Sequence, residues 1–341
     1  MIISSTPPPY DSPSGLCPLS KRQRAALEAL RAKQFFKLIA GGSLTDLDKL
    51  KRLTRSYTLA GVDCIDMAAL PEVVEAVSEV LKNVSGPKPL LMVSVPLDPD
   101  PHFRKIELEA SGCIACGLCV PICPSDTFTL EPFEMEVVAV NEPLCYGCGR
   151  CVPICPTDAL TLQPFQIRET LVRVLSHPEV EAVELHTQFA DPYMLSGFLK
   201  DYGDLLQNKL IAYCFRPNET KEAFWLESLE MLHAFAPGRL LLQIDGAPMS
   251  GSDAIDACLP ALSNARSAKE CLLAYKEGIF HAIPITISGG INQHTAVFLK
   301  EPIHAFIAGA GMGTVARKAV WQISDEVKAI EQAKAIVAAF R

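Results

Sequence analysis

Short apolar runs alternate with longer amphipathic segments along most of the chain. We count eight runs of four to six residues, at 36–40, 62–67, 90–95, 182–186, 210–215, 240–245, 283–288 and 305–308. Their length and composition are typical of buried strands. Apolar residues at helical spacing follow them, for example at 44–60, 70–84, 167–176, 194–206, 223–235 and 315–340. A further helix is predicted near residues 19–34, after a proline-rich tail.

This alternation predicts a parallel β-sheet, because each crossover helix returns the chain to the same end of the sheet. Eight units favour a (β/α)8 barrel of the TIM type, and a doubly wound open sheet is the alternative. The predicted barrel is discontinuous and consists of residues 35–96 and 166–341, preceded by a tail and helix at 1–34. Residues 97–165 form an insertion after the third strand. That loop belongs to the barrel face where active sites lie.

The insertion contains most of the cysteines of the chain. Of thirteen cysteines, eight lie in two blocks that start at Cys113 and Cys145 and repeat after 32 residues. Each block reads C-x2-C-x2-C-x3-C-P, the run that two-cluster bacterial ferredoxins use to hold [4Fe–4S] clusters. The likeness continues past the cysteines, where residues 126–133 align with 158–165. The insertion is therefore predicted to be an internally duplicated, ferredoxin-like module.

The spacing also predicts how the cysteines divide between two [4Fe–4S] clusters. The first three cysteines of a block wrap one cluster, and the fourth, followed by proline, points to the other cluster. We assign cluster A to Cys113, Cys116, Cys119 and Cys155, and cluster B to Cys145, Cys148, Cys151 and Cys123. Two structural zinc sites are the alternative, although zinc sites rarely need this order twice in register.

The residues between the cysteines fit tight, dry loops around the clusters. Gly117 and Gly149 are expected there, because glycine tolerates backbone dihedrals that other residues avoid. Apolar side chains beside the ligands should exclude water and so help to set the cluster potentials, and they are Val120, Ile122, Val152 and Ile154.

Two glycine-rich segments follow the last two predicted strands, where barrels often bind phosphate. They supply Ser288, Gly289 and Gly290 at the seventh strand, and Gly309, Gly311 and Gly313 at the eighth. Bare amides beside a helix N-terminus favour a phosphate, so flavin mononucleotide (FMN) or another phosphorylated ligand is one interpretation. Tight strand–helix turns without a ligand explain the same glycines equally well.

Polar residues also end several predicted strands and are candidates for a substrate site. They are Asp66, Glu184, His186, Arg216 and Asp245. Such residues are more often satisfied by local hydrogen bonds, and the sequence contains no nucleophile elbow, Walker loop or zinc-protease motif. Catalytic residues are therefore left unassigned. Four further cysteines lie in strand or helix patterns and are interpreted as small buried apolar residues, namely Cys64, Cys214, Cys258 and Cys271.

Charge and hydropathy narrow the class of protein. The net charge is −8 and the pI is near 5.5, which argues against a broad nucleic-acid or anionic-membrane surface. We find no apolar run of the roughly 20 residues that a membrane span needs. The N-terminal segment has its prolines first and its basic residues late, unlike a secretory signal. A cytoplasmic protein with a redox partner or electron pool, and without a nucleic-acid partner, is expected.

The combination of a doubled ferredoxin motif and a barrel-like chain resembles the cyanobacterial light-dependent period protein A (LdpA) family. Four segments carry the resemblance, at 36–43, 111–119, 145–151 and 287–292. It implies an iron–sulfur redox sensor that reports light-dependent redox state to the circadian clock and associates with clock input proteins such as histidine kinases. An oxidoreductase that passes electrons to a flavin or substrate in the barrel is the alternative, so enzymatic activity is left open.

Overall fold

The architecture is taken from a computed structural model that describes residues 18–100, 102–130, 137–165, 168–246 and 252–341. The predicted N-terminal tail therefore lies outside the described residues, as do 166–167 at the predicted end of the insertion. Among the described residues, no helix is both long enough and apolar enough to cross a membrane.

Twelve strands occur in the described residues. In chain order they are β1 Phe35–Gly41, β2 Cys64–Ala68, β3 Leu90–Pro96, β4 Arg104–Leu108, β5 Phe128–Thr129, β6 Ala139–Val140, β7 Leu160–Pro164, β8 Ala182–His186, β9 Leu210–Phe215, β10 Leu240–Asp245, β11 Ile285–Ser288 and β12 Ile307–Met312. Eight of them close into a barrel in the order β1-β12-β11-β10-β9-β8-β3-β2. Every neighbouring pair in the barrel is parallel. The predicted (β/α)8 barrel is confirmed, and each predicted run overlaps one of its strands, although the eighth run, 305–308, shares only residues 307 and 308 with β12.

Eleven α-helices accompany the strands in the described residues. They are α1 Lys21–Arg31, α2 Leu47–Leu59, α3 Pro71–Asn83, α4 Cys119–Ile122, α5 Leu171–Leu175, α6 Pro192–Leu206, α7 Glu222–Phe235, α8 Leu259–Ala274, α9 Thr295–Leu299, α10 Thr314–Trp321 and α11 Glu326–Ala339. The predicted helical segment 315–340 is thus two helices. The helix is interrupted between Trp321 and Glu326. The Asp325 carboxylate accepts a hydrogen bond from the Lys328 amide and so caps the N-terminus of α11.

The bottom of the barrel is closed by α1. Its apolar face, Ala26, Leu27 and Leu30, packs with residues near the starts of the strands, including Phe35 and Leu90. The Gln23 amide donates hydrogen bonds to the carbonyls of Glu181 and Asn208 and so fixes the helix against the strand ends. With the bottom filled by apolar packing, a ligand can reach the barrel interior only from the carboxyl ends of the strands.

The insertion between β3 and α5 contains two small two-stranded sheets. Strand β4 pairs antiparallel with β7, and β5 pairs antiparallel with β6. Residues of β5 lie 32 positions before residues of β7, and the last two residues of β4 lie 32 positions before β6. The strands of the insertion therefore repeat with the same 32-residue offset as the cysteine blocks. The insertion follows the third barrel strand, at the mouth of the barrel. Its outer limits at residues 97 and 165 stay a prediction.

A substitution at Gly309 would test how closely strands β12 and β1 approach one another. A β-carbon at this position of β12 would lie 2.0 Å from the Phe35 carbonyl oxygen of β1. We expect Gly309→Ala to lower the free energy of unfolding by about 1–3 kcal/mol or more, because neither backbone can move freely. The measurement is the unfolding transition followed by circular dichroism.

Gly197→Ala provides the matched control. Gly197 lies inside helix α6, and a β-carbon there meets nothing within 4 Å. Since alanine favours a helix over glycine by about 1 kcal/mol, this variant should be slightly more stable than the parent. Equal stability of the two variants would contradict the close packing of β12 against β1.

Candidate functional site

Two small cavities in the insertion are each lined by four cysteines. Cys113, Cys116, Cys119 and Cys155 line the first cavity. Cys123, Cys145, Cys148 and Cys151 line the second. In each set the fourth cysteine comes from the other block, which is the arrangement that the crossed assignment requires. Four thiolates around one cavity suit an iron–sulfur cubane, so the side chains present fit two [4Fe–4S] clusters.

The backbone of the two cysteine loops repeats in detail. Gly117 and Gly149 have φ values of +71° and +76°, which confirms the left-handed conformation expected of them. Substitution would also crowd the loops, because a β-carbon would lie 3.0 Å from a Leu130 methyl group at Gly117 and 3.1 Å from a Leu162 methyl group at Gly149. These glycines therefore allow both the turn and the close packing beneath it.

Backbone amides already point at two of the cysteine sulfurs. The Cys145 Sγ accepts hydrogen bonds from the Ile106 amide at 3.3 Å and the Gly147 amide at 3.4 Å. The Cys123 Sγ accepts from the Thr127 amide at 3.4 Å. Such bonds stabilise negative charge on the sulfur, and in iron–sulfur proteins they raise the reduction potential.

The apolar shell around the cavities differs in part from the predicted one. Val120 and Val152 pack against the buried cluster formed by Ile106, Phe128 and Leu160, as expected. Ile122 and Ile154, however, are 37% and 36% exposed, so the prediction is wrong for both. Each directly precedes a cysteine that lines a cavity, and the isoleucine side chain therefore points outward.

The two cavities have different surroundings. Around the first, Cys116 is exposed, and so are the neighbouring side chains of Ile114 and Leu118. Around the second, Cys145 is buried, and the adjacent Tyr146 is buried against the barrel. Solvent or a partner can approach the first cavity, whereas the second lies next to the barrel mouth.

Buried polar contacts hold the insertion on the barrel. The Lys105 ammonium donates to the Glu142 carbonyl at 3.0 Å and to the Thr45 hydroxyl at 3.2 Å. The Thr45 amide in turn donates to the Pro143 carbonyl at 3.1 Å. Burial lowers the pKa of Lys105, and its carboxylate neighbour Glu142 offsets part of this effect. The loop that precedes Cys145 is therefore fixed to the loop after β1.

A cavity lies at the mouth of the barrel beneath the insertion, and several polar side chains line it. Of the predicted strand-end candidates, Asp66, Glu184, His186 and Asp245 line it. Arg216 does not, and its guanidinium pairs instead with the side chains of Gln188 and Glu219. The insertion contributes His102, Phe103 and Tyr146 to the wall of the cavity.

The predicted glycine site is brought together only in part. Ser288, Gly289, Gly290, Gly311 and Gly313 line this cavity. Gly309 does not, since it lies within β12 against the backbone of Phe35. Gly290 also has a packing role, because a β-carbon there would lie 2.0 Å from the Ala257 carbonyl oxygen. A ligand role stays a prediction for the residues that line the cavity, and tight packing alone accounts for Gly309.

Lys37, which the sequence analysis missed, is buried and contacts two of the carboxylates that line the cavity. Its ammonium is 3.0 Å from an Asp66 carboxylate oxygen and also contacts Glu184. Burial alone would lower the pKa of Lys37, but the two carboxylates raise it above its ordinary value. Burial raises the pKa of Asp66 to about 6. A lysine inside the otherwise apolar run 36–40 is the signal that could have revealed it.

A second network links the insertion to β8. The Asp100 carboxylate bonds to His102 Nδ1 at 2.7 Å and to His186 Nδ1 at 2.6 Å. Burial would lower the pKa of His186, but Asp100 raises it well above its ordinary value. The ligand atoms of Asp100, His102 and His186 lie close enough for a metal site, although hydrogen bonds already satisfy the carboxylate. Burial raises the pKa of the adjacent Cys214 to about 12, which keeps this thiol protonated.

Arg317, also missed, connects the cavity to the second cysteine loop. Its guanidinium donates to the carbonyls of Ile39 and Ala40, both at 3.1 Å, and to the Thr314 hydroxyl at 3.0 Å. The Tyr146 ring stacks on it, with 4.2 Å from the guanidinium carbon to the ring centroid. Tyr146 follows Cys145 directly, so the wall of the second cysteine cavity is also a wall of the barrel mouth.

Crossed ligation predicts which cluster each fourth cysteine supports. Cys123→Ser should impair the cluster held by Cys145, Cys148 and Cys151, and Cys155→Ser the cluster held by Cys113, Cys116 and Cys119. Electron paramagnetic resonance of the two reduced variants should therefore give different residual signals, with Cys271→Ser as a control that leaves both intact. If each substitution disturbed only the cluster of its own block, the assignment would be wrong.

Comparison with known proteins agrees with both parts of the chain. The model of the 4Fe-4S dicluster domain matches residues 112–159, and that of the light dependent period A C-terminal domain matches residues 174–340. Light dependent period A of Synechococcus elongatus is 31% identical over 335 residues, which covers 85% of this chain and 82% of that protein.

Solved structures show only a distant likeness. Tryptophan synthase of Mycobacterium tuberculosis is 10% identical, covers 95% of this chain and 99% of its own, and has a TM-score of 0.48. The tryptophan synthase alpha chain of Legionella pneumophila is 11% identical, and the match covers 94% of this chain and 95% of that chain, with a TM-score of 0.45. Scores this low carry no argument about function. The relative from Synechococcus and the dicluster domain are what identify the chain, which belongs to the light-dependent period A family of iron–sulfur proteins.

Proposed function

We propose that this protein is a redox sensor that relays the light-dependent redox state of the cell to the circadian clock. The observation that carries the proposal is a pair of four-cysteine cavities in a chain 31% identical to light dependent period A. When bound, a [4Fe–4S] cluster supplies one-electron redox chemistry at a potential that its surroundings set. A cytoplasmic location, where an electron pool is accessible, belongs to the same proposal.

The exposed surroundings of the first cavity suit electron exchange with a pool or a redox partner. Ile114, Cys116 and Leu118 leave this cavity close to solvent. A change of one charge there would alter the surface that a partner meets, and a partner shifts an equilibrium only through its different affinities for two states. Clock input proteins such as histidine kinases are the proposed partners.

An oxidoreductase that passes electrons to a flavin or substrate in the barrel is the second candidate. The contact of Tyr146 with Arg317 at the barrel mouth favours it, because the second cysteine cavity and the barrel cavity share a wall. The cavity has a volume of about 100 Å³, which has room for several water molecules or a small metabolite. The identity of 31% to light dependent period A makes the sensor the preferred function.

Partner affinity should depend on the redox state. A purified clock-input histidine kinase should bind oxidised and reduced protein with affinities that differ by about 5- to 150-fold, the usual range of coupling between two sites. Surface plasmon resonance under anaerobic conditions measures this difference.

Two variants sharpen the experiment. Cys116→Ser, which removes an exposed ligand of cluster A, should abolish the redox dependence, whereas Cys271→Ser, outside both cysteine sets, should retain it. Equal binding of oxidised, reduced and cluster-free protein would refute the sensor. Retention of the redox dependence in both variants would show that it does not come from cluster A.

A further inference from the structure

The barrel mouth holds two buried polar atoms without a partner in the described residues. They are Oδ2 of Asp245 and Nε of Arg317. The residues are only 3% and 4% exposed, and both line the same cavity. Leaving a buried charged group unsatisfied is costly, and most such groups in folded proteins have a partner. An unsatisfied donor on Arg317 and an unsatisfied acceptor on Asp245 in one cavity favour a ligand that carries both an anionic group and a hydrogen-bond donor.

The cavity wall near Arg317 suits an anion. Helix α10 begins at Thr314, and no side chain caps its first turn. Its free amides and the positive end of its dipole add to the guanidinium charge. A β-carbon on Gly313 would lie 3.6 Å from an Arg317 nitrogen, an ordinary contact, and the backbone dihedrals of −104° and −101° are what favour glycine at this position. Gly309 differs, because packing alone explains it.

The opposite wall needs a hydrogen-bond donor. Asp245 Oδ1 accepts a hydrogen bond from the Ser288 hydroxyl at 3.1 Å, which leaves Oδ2 free. The other two carboxylates of the cavity, Asp66 and Glu184, share the Lys37 ammonium and are compensated by it. No cation of the described residues forms an ion pair with Asp245 in the same way. A hydroxyl group of a ligand would satisfy Oδ2 without a large desolvation cost.

We propose that the barrel mouth binds a compact hydroxylated anion, either a small sugar phosphate or a hydroxycarboxylate. Its anionic end contacts Arg317 and the amides at the start of α10, and its hydroxyl group donates to Asp245. The cavity volume of about 100 Å³ suits a small metabolite. This binding function goes beyond the clock role and does not depend on it.

Titration calorimetry of the anaerobic holoprotein tests the site with four probes. Glycerol 3-phosphate and glycerate carry both groups, whereas inorganic phosphate and glycerol carry one each. At least one of the two-group probes should bind about tenfold or more tightly than phosphate, because only it satisfies both walls. The stronger of the two identifies phosphate or carboxylate as the anionic group.

Variants then separate the contributions of the two cavity walls to ligand affinity. Arg317→Gln should weaken binding of the preferred probe by about 10- to 100-fold, the effect of losing a charge-assisted hydrogen bond. Asp245→Asn should reduce that probe to the affinity of the anion alone. Gly313→Ala, which keeps both side chains, should also weaken binding by narrowing the approach to the amides. Arg55→Gln and Asp256→Asn, at exposed positions, are the matched controls.

Iron and sulfide content, measured on each variant, shows whether the fold is intact. Binding that is lost in Asp245→Asn and Gly313→Ala, with full iron content and unchanged controls, supports the site even if Arg317→Gln fails to fold. No binding of either two-group probe at about 10 mM, or binding that these variants leave unchanged, overturns the proposal. A failed clock-kinase experiment would leave these titrations unaffected, so the two proposals fail separately.

Discussion

The Arg317 guanidinium joins the barrel, helix α10 and the cysteine insertion at one point. It bonds to the carbonyls at the end of β1 and to the first residue of α10, and it stacks under Tyr146 of the second cysteine loop. A buried, planar cation with fixed hydrogen bonds suits this position, because a guanidinium can donate in its plane and stack on its face. The position of the insertion over the barrel mouth depends on this contact together with the Lys105 contacts.

This arrangement gives the two cysteine cavities different surroundings. The first faces solvent, with Cys116 exposed, and the second adjoins the barrel through Tyr146. Anything that binds in the barrel mouth would contact the loop that follows Cys145. Occupancy of the mouth and the redox state of the second cluster would then influence each other, and such coupling is reciprocal for binding free energies.

The sequence was most informative where a repeating pattern decides the structure. Strand positions, the closed barrel and the crossed cysteine sets follow from periodicity and spacing, because each barrel strand is buried and each cluster needs four thiolates. His102 and Arg317 line the barrel-mouth cavity, and Lys37 and Asp100 contact residues that line it. All four were missed, because only the folded barrel and its insertion bring them together. Gly309 shows the opposite case. It belongs to a glycine-rich motif, but the backbone of Phe35 is what requires it.

We expect the two cysteine cavities to hold two [4Fe–4S] clusters. Iron and acid-labile sulfide in anaerobically purified protein, with zinc measured in the same sample, test it most directly. Two cubanes predict about eight iron and eight sulfide per chain and no stoichiometric zinc. About four iron per chain would leave one cavity without a cluster, and two zinc ions without sulfide would contradict the account altogether.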